Sequence, residues 1–231
     1  NVTTCEVVKT ELECKSSVVM GPYGHVFYVS PQSVYVWTTA SFRPASGSKN
    51  QAQTPGSILY RLPLNGSAPS ALKTSGSPID QMSFLENGNR LHVLVDGQGL
   101  GDGMWRSEQT NRRDLSLLRI PLNEFGDGSA NAKSENYMIL GRPEEGVAQN
   151  RYVGDYLLYG SQNYSYSPDQ LNNRIFAVRW KDGRSTHIVD LGEHGVERIE
   201  AMGRDAVIIG GQTGTRNNDS GLYFTSLSLS K

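Results

Sequence analysis

Leu59-Tyr60-Arg61-Leu62-Pro63-Leu64 is answered by Leu117-Leu118-Arg119-Ile120-Pro121-Leu122, then by Ile175-Phe176-Ala177-Val178-Arg179-Trp180 and Leu222-Tyr223-Phe224-Thr225-Ser226-Leu227. The phrase starts at positions 59, 117, 175 and 222, so its steps are 58, 58 and 47 residues. A near-constant spacing of this size marks a stacked or radial repeat. Around each phrase lie further apolar runs of strand length. In the first unit they cover 25–29, 33–38, 58–64 and 71–74; in the second, 81–85, 91–95, 115–122 and 136–140. The third unit gives 150–153, 156–160, 174–180 and 186–191, and the fourth 198–202, 206–210 and 222–229. Val, Ile, Leu, Tyr and Phe dominate these runs, and Asn65-Gly66 or Lys181-Asp182-Gly183 punctuate them, which is the grammar of strands and hairpins. No amphipathic helix is legible.

The expected fold is therefore all-β, a β-propeller of four-stranded antiparallel blades. A solenoid is the rival, although its repeats are usually shorter. Approximate units are 1–20 (partial), 21–76, 77–141, 142–192 and 193–231 (partial), all within one propeller domain or segment. About four blades are visible. Both termini break inside a unit, and the chain opens on Asn1 without an initiator Met or a signal peptide. This reads as a processed or trimmed segment of a larger ring, in preference to a five-bladed ring with irregular closure. The missing blades would come from the same precursor or from another chain.

Composition narrows the function. Twenty-two Lys and Arg against 23 Asp and Glu leave no basic excess of the kind that grips nucleic acid. No apolar run approaches the roughly 18 residues of a membrane span. Cys5 and Cys14 face each other across an expected hairpin (3–10 and 13–20), where a disulfide fits; the alternative is two small buried thiols. A bridge would imply an oxidising compartment: periplasm, cell surface or exterior. Two thiolates alone cannot complete a tetrahedral metal site.

In every unit the second-to-third connection is the long one: 39–57, 96–114, 161–173 and 211–220. In radially arranged antiparallel sheets these connections share one face, and long loops on a rigid scaffold are where binding groups concentrate. They carry the candidate binding residues Arg43, Lys49, Trp105, Arg106, Arg112, Arg113, Tyr164, Tyr166 and Arg216. Aromatic side chains beside Arg are types enriched where protein or sugar partners dock. The alternative is a set of solvated loops without a ligand.

No cofactor is expected. The glycines of Asp96-Gly97-Gln98-Gly99-Leu100-Gly101-Asp102-Gly103 lack the Lys-Ser/Thr pair and the helix of a phosphate cradle. Asp96 and Asp102 are weak calcium ligand candidates, too few on their own. His25, His92, His187 and His194 are scattered without metal-binding spacing and read as structural. Arg151 and Glu200 occupy equivalent first-strand places, where they either line a central channel or pair with one another. Glu144, Glu145, Glu193 and Glu197 lie in fourth-to-first connections, from which a glycosidase-type carboxylate pair could be drawn, though no spacing selects one. Asn1, Asn65, Asn163 and Asn218 each begin an Asn-x-Ser/Thr triplet, marking surface positions where the source glycosylates.

The phrases Phe27-Tyr28-Val29-Ser30-Pro31, Val34-Tyr35-Val36-Trp37-Thr38, 151–160 and 195–203 give the chain a further character. In them it resembles secreted or envelope-associated bacterial β-propeller proteins without assigned activity. The resemblance covers nearly the whole chain as a blade pattern, lacks the WD dipeptide, and implies architecture rather than chemistry. The reading that results is a non-catalytic secreted module binding a protein or glycan partner through its long-loop face. The alternatives are an extracellular carbohydrate-active hydrolase or lyase with acidic residues near the channel mouth, or a structural subunit of an envelope or filament assembly.

Overall fold

The computed structural model describes residues 1–22, 24–39, 57–97, 115–143, 147, 149–161, 173–182, 186–192, 194–211 and 221–229. They are all-β, with no α-helix among them. Strands β1 (Val2–Val8) and β2 (Glu11–Ser17) form a hairpin in which Cys5 opposes Cys14 and the two are disulfide-bonded. The first sheet comprises β3 (Gly24–Val29), β4 (Ser33–Thr39), β5 (Ser57–Pro63) and β6 (Ser70–Thr74). The second holds β7 (Ser77–Pro78), β8 (Phe84–Asn87), β9 (Arg90–Asp96) and β10 (Leu115–Pro121). Strand β11 (Asp127–Asn131) then leaves it to pair in parallel with β6, before β12 (Tyr137–Leu140) returns beside β10. The third sheet is β13 (Gln149–Val153), β14 (Tyr156–Gly160), β15 (Arg174–Arg179) and β16 (Thr186–Asp190). The fourth is β17 (Arg198–Met202), β18 (Asp205–Gly211) and β19 (Leu222–Leu227). Among the described residues the sheets do not close into a barrel or a ring.

Two features depart from the sequence expectation. Residues 81–83 form a 3-10 turn instead of opening a strand, because the Asp80 carboxylate accepts from Met82 N while Ser83 Oγ accepts from Asp80 N. That reciprocal cap closes a turn before β8 can begin. The second departure is β11. Its segment, Asp-Gly-Ser-Ala-Asn, has little strand propensity, but its backbone covers the edge of β6, with Ala71 N donating to Gly126 O and Ala132 N to Lys73 O. An uncovered edge is a template for unwanted pairing, and this segment protects it.

The sheets stack face to face through three cores. Tyr35, Trp37, Leu59 and Leu72 of the first sheet meet Phe84, Leu91, Val93, Val95, Leu118 and Ile120 of the second. Leu94, Leu115, Leu117 and Leu140, on the other face of the second, meet Leu157, Tyr159, Phe176, Val178 and Trp180 of the third. Leu158, Ile175 and Ala177 then meet Ile199, Ala206, Ile208 and Leu227 of the fourth. Successive residues of β9, β10, β14 and β15 therefore enter opposite cores, as a strand's period of two requires.

Contacts at the sheet edges show that all four sheets are oriented alike. Along one edge Ser30 Oγ donates to Glu86, Arg119 Nη1 donates to Lys181 O, and Gly154 lies beside Arg204. These are first-to-second and third-to-fourth turns. Along the other edge Ser57 Oγ donates to Gly76 O, Arg142 pairs with Asp96, Val196 N donates to Ser161 O, and Gly195 N donates to Gly211 O. Each connector to the following sheet thus crosses a second-strand end at close range. A Cβ on Gly210 would sit 1.9 Å from Gly195 O, and one on Gly76 2.6 Å from Asp96 O. Gly210→Ala should therefore destabilise the chain by about 3 kcal/mol through forced backbone displacement, readable as a lowered urea midpoint.

His92 projects into the second core interface, 3% exposed, its ring edge-on to Trp180 with centroids 4.8 Å apart. Burial, with Arg119 and Arg90 adding to it, lowers its pKa to about 4. Between the free imidazole value of 6.5 and about 4 the unfolded chain takes a proton that the folded chain refuses. Stability is thus full above pH 6.5 and falls as the pH drops to about 4, by roughly 3 kcal/mol from this residue. His92→Phe should flatten that part of the stability–pH curve in urea titrations.

Candidate functional site

The first elements of consecutive sheets lie against one another: β3 against the 81–83 turn, that turn against β13, and β13 against β17. Between the last three opens a pocket of about 510 Å³ whose walls include Asp80, Gln149, Asn150, Arg151, Arg198 and Glu200. These residues are polar because their strands face the pocket and not a core. Ile199, which alternates with Arg198 and Glu200, points back into the core between the third and fourth sheets, and Val153, on the same face of β13 as Arg151, enters that core at the far end of the strand.

Within the pocket, Arg151 Nη1 donates to Glu200 Oε2 at 2.7 Å and to Ile199 O at 3.1 Å. Arg198 Nε donates to the other oxygen of Glu200. The hydrogen bond from Arg198, together with the charge and hydrogen bond of Arg151, holds the Glu200 carboxyl below its ordinary range. The Asp80 carboxylate caps its turn and accepts from Asn150 Nδ2 at 3.0 Å. Asn150 is 3% exposed, and its Oδ1 has no hydrogen-bond partner.

Sequence reasoning placed Arg151 and Glu200 in equivalent positions and left two outcomes open. The pairing is present as an ion pair, and the two residues also line the pocket described above. It missed Asp80, Asn150 and Arg198. Asp80-x-x-Ser83 is a capping signature that could have flagged the turn. No local signal announces that Asn150 meets Asp80 across 70 residues. Glu197, proposed for a carboxylate pair, accepts from Gly211 N instead. Glu144, Glu145 and Glu193 lie outside the described residues.

Arg43, Lys49, Trp105, Arg106, Arg112, Arg113, Tyr164, Tyr166 and Arg216 lie outside the described residues, as does Asp102. The strand ends that carry their segments are described and share the edge traced above. Asp96, the other calcium candidate, gives its two carboxylate oxygens to Arg142 Nη1 and Nη2 at 3.0 and 3.1 Å. That bidentate pair occupies the group a cation would need. Among the described residues no cluster of three or more His, Cys, Asp or Glu converges on a metal position. His194 is structural: its Nδ1 donates to Gly195 O, so its Nε2 accepts from the Thr225 hydroxyl at 2.7 Å. Among the described residues no helix is long and apolar enough to cross a membrane.

Because the folded pKa of Glu200 is depressed, the stability it adds is complete above the unfolded carboxylate value and is lost as the pH falls through the folded one. Glu200→Gln should lower the melting temperature at neutral pH, and the difference from the parent chain should close under acid. A gap that persists at low pH would assign the loss to packing instead of charge. No family model matches the chain, and no curated protein matches it in sequence.

Proposed function

We propose that the chain is a non-catalytic secreted binding module, built as stacked blades of a β-propeller segment, that holds a protein or glycan partner through its long-connector face. One observation carries this reading. The ends of β4, β9, β14 and β18, from which the connections 40–56, 97–114, 161–173 and 212–221 depart, lie on the sheet edge joined by Gly76, Asp96, Ser161 and Gly211. A rigid base beneath four long polar segments is the arrangement that binding surfaces use. The contacts of the 81–83 turn with β3 and β13, that of β13 with β17, and the uniform sheet orientation support the radial arrangement. The disulfide of the exposed hairpin supports an oxidising compartment, and with it secretion or display at the cell surface.

The described carboxylates favour binding over hydrolysis. Glu200 is held ionised by two guanidinium groups, Asp80 is committed to a turn and an amide, and Glu197 to a backbone N–H. A general acid needs a raised pKa, and Glu200 has the opposite shift.

The test uses immobilised glycan panels and envelope protein fractions as probes. Alanine at Trp105, Arg106, Arg112 and Arg113 together should weaken capture at least about tenfold while leaving the melting temperature unchanged. Capture equal to that of the parent chain would reject this surface.

A further inference from the structure

The residues that open the repeated phrase occupy the same face of successive sheets, and that face meets the next sheet in the stack. Leu59, Leu117 and Ile175 are each 0% exposed there. Leu222 holds the corresponding place in the fourth sheet and is 60% exposed; Phe224, two residues on along the same face, is 64% exposed. Val207 and Ile209 of β18 share this face, since Ile209 pairs with Phe224 and Val207 with Ser226. Its β18 and β19 part is an apolar surface of the kind that elsewhere in this molecule is covered by a sheet, while Arg198 and Glu200 hold the β17 margin of the same face.

The opposite face has its own pattern. Leu118 and Ile120 pack on the preceding sheet, as do Phe176 and Val178. Their counterparts in the first sheet are Tyr60 and Leu62, and Phe27 and Val29 extend the same face through the pairs Phe27↔Val36↔Tyr60 and Val29↔Val34↔Leu62. Phe27 is 54% and Val29 58% exposed, whereas Val34 and Leu62 are buried at 8% and 7% and Tyr60 is half-buried, so the open part of this face is its β3 margin.

The two end surfaces are therefore not alike. One is the half of the stacking interface that meets a following sheet; the other is the half that meets a preceding one. All three internal interfaces join one half to the other, never two of the same kind. A chain bearing both unmatched halves is complementary to itself, head to tail. We propose that a second copy of this chain docks there, its first sheet (Phe27, Val29, Tyr60) packing on the fourth sheet (Val207, Leu222, Phe224) of the other. Such a heterologous contact closes into a ring or runs on as a filament, depending on the rotation it imposes. The association stands independently of what the long-connector face binds.

Sedimentation velocity over a concentration series tests this on the whole chain. The parent chain should self-associate, and Phe27→Asp and Phe224→Asp should each weaken that association about tenfold or more. Both side chains are exposed in the single copy, so circular dichroism and melting temperature should be preserved. Where either Asp variant melts early, Val29→Thr and Leu222→Ser replace the pair. Mixing the two single variants, one fluorescently labelled, restores a 1:1 complex, because the intact fourth sheet of one meets the intact first sheet of the other. A parent chain that stays monomeric at every concentration overturns the proposal. So does an association that survives either substitution, as contact between two like faces would, or a mixture that remains monomeric.

Discussion

The middle sheets bury both faces, and the rest of the molecule follows from that constraint. In β9, Leu91, Val93 and Val95 enter one core while Leu94 enters the next; in β10, Leu118 and Ile120 enter one and Leu115 and Leu117 the other. A strand apolar on one parity can leave its second face in water, but one apolar on both cannot. Each fully buried Leu or Val contributes on the order of 1.5–3 kcal/mol, so a slip of one residue is not neutral. It would carry His92 and Arg119 into the first core and apolar partners out of register. Double burial thus fixes register, which in turn fixes the sheet edges at which connectors and pocket lie.

Stacking also decides where polar groups can survive. At the second interface the polar groups include His92, kept neutral by burial, Arg119, whose guanidinium reaches the edge to meet Lys181 O, and Asn150, which donates to Asp80. At the first-strand edge the sheets approach one another along a line, and the side chains facing that line cannot all be covered by sheet. Arg151, Arg198 and Glu200 occupy it as a mutually satisfied group, which is the condition under which partly buried charge is tolerated. On the opposite side, glycine permits the crossings: Gly76 and Gly210 let one backbone pass another where any Cβ would collide.

Strands with a strong apolar pattern were legible in the sequence, since Val, Ile and aromatic runs bounded by Gly and Asn encode local geometry. Phe27 to Val29, Leu91 to Val95 and Tyr156 to Gly160 all fall in strands where expected. Strand β11 was not legible, because its pairing is dictated by the bare edge of β6 and not by its own side chains. The 81–83 turn was misread because Met82 extends an apolar run, while the deciding atoms are the oxygens of Asp80 and Ser83. Arg151 and Glu200 could be found because both sit at corresponding places on first strands. Asp80 and Asn150 could not, since their contact arises only when the second sheet stacks on the third.

The fourth sheet ties these observations together. It has three strands among the described residues and is covered on one face, whereas the second and third sheets are covered on both. Fewer buried contacts per strand mean a lower free energy of local opening. This same sheet carries Arg198 and Glu200, one wall of the pocket, and Gly211, one of the supports of the long-connector edge. Any sheet that covers Val207, Leu222 and Phe224 therefore does more than hide apolar surface. It raises the local stability of the element on which both the pocket and that edge depend, so occupancy of the end face and the order of the long-connector edge are linked through one packed layer.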